Sequence, residues 1–403
     1  MNVAILGYGT VGGGVADVLF DNAKDIEARV GEALNVKYIL DIRTFPGDRF
    51  EAKITSDFNR ILEDEEVKVV CETMGGLKPA YDFTKALLEK GKSVCTSNKE
   101  LVAAHGPELL AIAKANNCKY LFEASVGGGI PIIRPLITCL TAEKIDSIVG
   151  ILNGTTNYML TRMDKEGCDY GDVLKEAQEK GYAERNPEAD VEGYDACRKI
   201  AILASLKYQK TVHYEDIYTE GISKITKEDF DYAGLLGMSI KLLGMCKETD
   251  DARYAMVAPF LIDESNPLYA VQGVFNGILV HGNMVDDVMF YGRGAGKLPT
   301  ASAVVSDIIE EAKSIGTASE IVWDDEPVTL SDKGGLEFSY LVRMAGNVNT
   351  HNFATVFPGA KELNAEILAG EFAFETPVMT EREFLEKYAQ LEGAIKFIRI
   401  LRK

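Results

Sequence analysis

The feature that most constrains this chain is Gly7-Tyr8-Gly9-Thr10-Val11-Gly12, set between an apolar run and a helical pattern. Asn2–Leu6 reads as a buried strand and Val11–Phe20 as a helix. In a strand–GxGxxG–helix unit the first glycine permits a tight turn. The second lets the backbone approach a pyrophosphate, and the third allows close helix–strand packing. The phosphates then meet unsatisfied amides at the positive end of the helix. The spacing alone is a weak signal. At the head of a strand–helix series it becomes a dinucleotide fingerprint carried by Gly7, Gly9, Thr10, Val11 and Gly12.

The alternation continues with strands expected at Val36–Leu40, Val67–Cys71, Ser93–Thr96 and Lys119–Glu123, and helices at Ala80–Glu89 and Pro107–Ala115. That pattern predicts a parallel sheet of the Rossmann type. Beyond Ile145 the pattern changes. A strand is expected at Ile145–Leu152, with helices at Asn157–Met163, Asp172–Lys180 and Val191–Leu206. Strands follow at Arg253–Leu261, Leu268–Val274, Ile278–His281 and Val288–Tyr291, then a helix at Thr300–Ser314. The tail reads strand (Glu337–Met344), helix (Phe353–Leu363), strand (Glu371–Pro377), helix (Glu381–Leu391), strand (Ile395–Ile400). The expected organisation is α/β. A Rossmann domain covers 1–130 and is completed by about 293–320; an α+β substrate and dimerisation domain covers 131–292; a small βαβ module covers 325–403.

Composition narrows the class. At 403 residues the chain exceeds one ordinary domain. A formal charge of −19 opposes binding to nucleic acid, which needs basic surface. The seven cysteines form no Cys-x-x-Cys pair, so no zinc site is expected. The first residues carry no basic leader, and no apolar run reaches bilayer-spanning length. A reduced cytoplasmic protein, without membrane or nucleic-acid partners, is the expectation.

Ligands of such sheets collect beyond the carboxyl ends of the strands. Those ends offer Asp41 and Arg43, then Glu72-Thr73-Met74-Gly75-Gly76, Ser97-Asn98-Lys99-Glu100 and Glu123-Ala124-Ser125-Val126-Gly127-Gly128-Gly129. Asp41 would accept from ribose hydroxyls and favour NAD, whereas Arg43 would pair with the 2′-phosphate of NADP. Both coenzymes stay open. In the second region Asp195 and Lys199 are four residues apart on a helix that turns apolar all round from Ile200. A buried ion pair has a desolvation cost that often exceeds its attraction, so a site explains it better than stability. A lysine held by an aspartate can pass a proton to or from a hydroxyl. Glu184 and Asp190 nearby supply negative charge for a substrate ammonium group, and Asp190 is placed to cap the helix from Val191.

Taken together, these pieces resemble the homoserine dehydrogenases. The likeness rests on the glycine fingerprint, Ser97-Asn98-Lys99-Glu100-Leu101-Val102-Ala103, Glu123–Pro131, Leu152-Asn153-Gly154-Thr155-Thr156-Asn157-Tyr158, Gly181-Tyr182-Ala183-Glu184, Asp190–Asp195 with Arg198-Lys199, and Gly294-Ala295-Gly296 with Pro299-Thr300-Ala301. It implies reversible NAD(P)-dependent oxidation of L-homoserine to L-aspartate 4-semialdehyde, on the route to threonine and methionine. It further implies Lys199 as proton donor with Asp195 beside it, and Lys99 as a second lysine at the coenzyme or substrate. Glu184 is implied as the amino-acid anchor near Asp190, and Thr73 and Gly296 as further coenzyme contacts. A sodium-like cation is implied at Glu123, Val126, Gly128 and Ile130, the last three through backbone oxygens. A homodimer or homotetramer is expected. The tail keeps an ACT-like element order but lacks an Asp-x-Pro-Gly turn in Met344–Asn352. Two other readings are a non-catalytic coenzyme-binding redox sensor and an aspartate-semialdehyde dehydrogenase, which needs a nucleophilic cysteine.

Overall fold

The computed structural model describes every residue except Ser319, Asn349, Thr350, His351, Asn364, Ala365, Glu366 and Lys403. Three of these belong to the segment in which the tail turn was sought, so that part of the comparison lies outside the described residues. The chain divides into two compact units: 1–144 with 201–214 and 292–328, and 145–200 with 215–291 and 329–403.

The first unit is built on six parallel strands: β1 (Asn2–Leu6), β2 (Asn35–Leu40), β3 (Ile54–Thr55), β4 (Val67–Glu72), β5 (Ser93–Thr96) and β6 (Tyr120–Leu121). Their order is β3-β2-β1-β4-β5-β6. The direction of winding reverses beside β1, which places a crevice beyond Leu6 and Glu72 at its carboxyl edge. Val3–Leu6 and Val69–Cys71 are fully buried because helices cover both faces of a parallel sheet.

Two expectations in this unit change. The helix expected from Pro107 begins eight residues earlier, spanning Lys99–Ala115. Asn98 caps it by accepting from the Leu101 amide, and Pro107 sits inside. Only Tyr120–Leu121 of the expected Lys119–Glu123 strand pairs, and Glu123–Ser125 turns into a 3₁₀ helix.

The second unit holds an eleven-stranded sheet. Its principal members are β7 (Ile145–Ile151), β8 (Ser239–Glu248), β9 (Arg253–Ile262), β10 (Phe275–Gly282), β11 (Asp286–Arg293), β12 (Glu337–Ala345), β13 (Lys361–Glu362), β14 (Glu371–Glu375) and β15 (Ala394–Ile400). They lie in the order β11-β10-β7-β8-β9-β15-β12-β14-β13. β8 was missed because it is buried on both faces and shows no period-two alternation. The expected strand Leu268–Val274 is instead a 3₁₀ turn, Pro267–Ala270, capped by Asn266. The tail strands β12–β15 are mutually antiparallel where they pair, in the order fourth-first-third-second, with helices Phe353–Val356 and Glu381–Tyr388 between them. β15 also pairs with β9, so the tail continues the sheet of this unit.

The expected long helix Val191–Leu206 is two helices, Glu188–Val191 and Tyr194–Tyr208. Gly193, at φ +83°, breaks them in a conformation that side-chain-bearing residues rarely adopt. Asp190 therefore lies within the short helix and does not cap the long one. Tyr194–Tyr208 is buried on nearly every side from Ala196 onward.

Candidate active site

In the first unit the glycine turn has the geometry its spacing demands. Gly7 adopts φ +92°, and a Cβ on Gly12 would stand 1.9 Å from the Gly7 carbonyl oxygen. A Cβ on Gly9 would meet nothing within 4 Å, so the backbone there has room for a phosphate. The helix Thr10–Asp21 has no side-chain cap, which leaves its first amides for a ligand. Val11 is half-buried in its first turn. Thr73 stands over the same turn, its hydroxyl donating to the carbonyls of Leu6 (2.9 Å) and Gly7 (3.0 Å). Gly296 precedes the helix Lys297–Lys313, and Lys99 opens the helix Lys99–Ala115. Of these helices, Thr10–Asp21 begins without a side-chain cap directly after the glycine turn, whereas Lys99–Ala115 is capped by Asn98.

Asp41 is more constrained than its sequence position indicates. Oδ1 accepts from the Arg43 amide (2.9 Å) and Nε (3.0 Å), while Oδ2 accepts from the Tyr8 amide (2.9 Å) and Arg43 Nη2 (2.9 Å). Four bonds saturate a carboxylate. The Arg43 guanidinium holds the Asp41 carboxyl well below its ordinary range, and burial opposes this only in part. As arranged, Asp41 cannot accept from a ribose hydroxyl until Arg43 withdraws.

Glu123, Val126, Gly128 and Ile130 are buried together in one turn. The Glu123 carboxylate already accepts three backbone amides, from Ile132 (2.5 Å), Ile133 (2.8 Å) and Arg134 (2.8 Å). Its own amide donates to Asp307, which also receives Arg134 Nη2 at 2.6 Å. Burial, with Glu123 alongside, pushes the Asp307 carboxyl well above its ordinary range. The donor set of this turn is all oxygen, as a hard cation requires. The three amides leave the Glu123 carboxylate about one lone pair for it.

In the second unit Lys199 and Asp195 meet at 2.8 Å, with 8% and 5% exposure. Lys199 Nζ also donates to the Leu152 carbonyl at 2.8 Å. Asn153 is the residue that sequence reasoning passed over. Its Nδ2 donates to Asp195 Oδ2 (2.9 Å) and to Asp190 Oδ1 (2.8 Å), joining the two acids. Its Oδ1 accepts from the Thr156 amide and caps the helix Gly154–Glu166. An asparagine directly before a helical pattern was the available signal. Glu184 is exposed, its backbone carbonyl accepting from Gln178 Nε2 at 3.1 Å. An ammonium has three hydrogens, so two acceptors leave one for a substrate oxygen.

Cys71, Cys95 and Cys118 in the first unit offer no activated thiol of the kind a semialdehyde-phosphorylating enzyme needs. Burial pushes the Cys118 thiol up to about 12 and the Cys71 and Cys95 thiols higher still.

Comparison with known proteins agrees with both halves. Residues 7–123 match the family model described as the NAD binding domain of homoserine dehydrogenase, and residues 131–309 match the homoserine dehydrogenase model. The homoserine dehydrogenase of Bacillus subtilis is 42% identical over 318 residues, covering 78% of this chain and 73% of its own. That of Synechocystis is 44% identical over 328 residues, covering 79% and 75%. The crystal structure of a homoserine dehydrogenase from Thiobacillus denitrificans superposes with a TM-score of 0.89 at 34% identity, covering 100% of this chain and 98% of its own. A hyperthermophilic archaeal homoserine dehydrogenase in complex with NADPH gives 0.67 at 28% identity, covering 79% of this chain and 99% of its own.

Proposed function

This chain belongs to the homoserine dehydrogenase family, and from that premise we propose how its side chains divide the work. It is an NAD(P)-dependent oxidoreductase that interconverts L-homoserine and L-aspartate 4-semialdehyde. Family membership disfavours a non-catalytic redox sensor. Bound coenzyme supplies the hydride acceptor or donor.

Lys199 exchanges the proton of the substrate hydroxyl. The observation that carries this reading is a buried ammonium held by one carboxylate and one carbonyl, with a third hydrogen to spare. Asp195 keeps the lysine aimed, and Asn153 keeps Asp195 in place. Glu184 and Asp190 take the substrate ammonium group. Gly7, Gly9, Thr10, Val11 and Gly12 bind the pyrophosphate; Thr73, Gly296 and Lys99 complete coenzyme binding, with Lys99 also acting in catalysis. Arg43 and Asp41 together choose between NAD and NADP. Glu123, Val126, Gly128 and Ile130 hold a monovalent cation, which an all-oxygen turn suits.

The order of β12–β15 supports an ACT-like module at 325–403, beside a Rossmann domain of 1–130 with 293–320 and a substrate domain of 131–292. A cytoplasmic homodimer or homotetramer is the assembly we propose. No helix among the described residues is long and apolar enough to cross a membrane. The test of the lysine assignment is coenzyme reduction by L-homoserine in Lys199→Ala and Lys199→Arg proteins, with coenzyme affinity measured separately. Near-normal turnover in Lys199→Ala would remove the assignment.

A further inference from the structure

Glu72 is fully buried at the end of β4, and among the described residues no cation pairs with it. A buried carboxyl without a cation is destabilising unless its oxygens are satisfied. Here they are, and the partners form a circuit. Oε1 accepts from the Met74 amide at 2.7 Å and Oε2 from the Thr96 hydroxyl at 2.7 Å. The Thr96 hydroxyl oxygen in turn accepts from the Asn98 amide at 2.9 Å. Asn98 Nδ2 donates to the Gly76 carbonyl at 2.6 Å, and Asn98 Oδ1 caps the Lys99 helix through the Leu101 amide at 3.2 Å.

The circuit grips the loop 73–76 from both sides, at Met74 and at Gly76, and fixes it to the turn that begins with Lys99. Thr73 carries the same constraint to the glycine turn through its bonds to Leu6 and Gly7. All of these groups lie within the first unit. Burial pushes the Glu72 carboxyl up, while the Thr96 and Met74 bonds oppose the shift.

We propose that Glu72 is a positioning residue for the coenzyme, which sets the 73–76 loop and the Lys99 turn through Met74, Thr96 and Asn98. The proposal rests on the assignment of Thr73 and Lys99 to coenzyme binding. Glu72 itself touches no reacting atom.

The experiment compares Glu72→Ala, Thr96→Val, Thr96→Ser and Thr73→Ala in the full chain. Coenzyme Kd is read by NAD(P)H fluorescence, together with both KM values and Tm. Breaking the circuit removes a buried hydrogen bond, so coenzyme Kd and KM should rise on the order of tenfold in Glu72→Ala and Thr96→Val. The homoserine KM should stay within about twofold, and Thr96→Ser, which keeps the hydroxyl, should stay near wild type. If Glu72→Ala does not fold, the Thr96 pair carries the comparison alone. A folded Thr96→Val protein with lowered Tm and unchanged coenzyme Kd would overturn the proposal. If Thr73→Ala weakens coenzyme binding in that case, only the role of Glu72 is lost. If Thr73→Ala also has no effect, the assignment of the loop falls with it.

Discussion

Two buried ion pairs in the second unit invite comparison. Asp195–Lys199 is bonded at one point, and Lys199 shares its hydrogens with the Leu152 carbonyl. Glu381–Arg399 is more deeply buried, at 0% and 2% exposure. Arg399 Nε and Nη2 bond both Glu381 oxygens at 2.9 Å, Nη1 bonds Glu220 at 2.7 Å, and Lys333 reaches Glu381 as well. Burial raises the Glu381 carboxyl, yet Arg399 and Lys333 outweigh it and hold the group below its ordinary value. Depth of burial therefore does not mark a catalytic pair. What separates the two is geometry: Arg399 is clamped by two bonds to Glu381 and a third to Glu220, whereas Lys199 is bonded to one carboxylate oxygen and one carbonyl, which leaves one ammonium hydrogen outside these bonds.

The largest expected effect tests that distinction directly. Lys199→Ala should lower the kcat of the folded enzyme on the order of a thousandfold, equivalent to roughly 4 kcal/mol of transition-state stabilisation, with coenzyme Kd little changed; it also strands the buried Asp195 carboxylate and so lowers Tm. Glu381→Ala should spare the rate. It strands the Arg399 guanidinium and should cost about 3–5 kcal/mol of stability, read by urea unfolding, while folded enzyme keeps its kcat. A rate loss in Glu381→Ala equal to that in Lys199→Ala would erase the contrast.

A third buried cation sharpens the comparison. Lys241 on β8 is 2% exposed and donates to the Val271 carbonyl at 2.7 Å, with no carboxylate bonded to it among the described residues. Burial pushes it down to about 8. Below that pH both folded and unfolded forms are protonated, and the full cost of the buried charge applies. Between about 8 and 10.4 the unfolded chain binds more protons, so stability from this group rises with pH. Lys241→Met should accordingly stabilise by about 1–3 kcal/mol at pH 7, with the gain fading toward pH 10. A gain independent of pH would show that packing, not charge, is responsible.

The smallest effect lies in the first unit, at a pair whose arginine is exposed. Arg43→Ala removes the two guanidinium bonds and leaves Asp41 accepting from the Tyr8 amide and the backbone amide at position 43, which frees lone pairs for ribose hydroxyls and removes a partner for a 2′-phosphate. The ratio of kcat/KM for NAD to that for NADP should rise several-fold. An unchanged ratio would place coenzyme choice elsewhere.

The legible parts of this protein were those with a short-range physical cause. The glycine turn, five of the six strands of the first sheet and the Asp195–Lys199 spacing follow from local sterics and helical periodicity, and adjacent residues encode both. The positions that were misread have non-local causes. Asn98 rather than Pro107 starts a helix because its cap is completed by contacts with β5 and the 73–76 loop. β8 was unreadable because both its faces are buried, which erases the alternation by which a strand is recognised. The same holds for the site. Sequence alone determined which residue types were present and which pairs could share a helix face. Only the tertiary structure decided that Asn153 joins Asp190 to Asp195, that Asp41 is saturated by Arg43 and Tyr8, and that Glu72 bonds the Met74 amide and the Thr96 hydroxyl. Each depends on hydrogen bonds between segments 24 to 42 residues apart or on a single nearby side chain's rotamer, and folding supplies that information where composition and period do not.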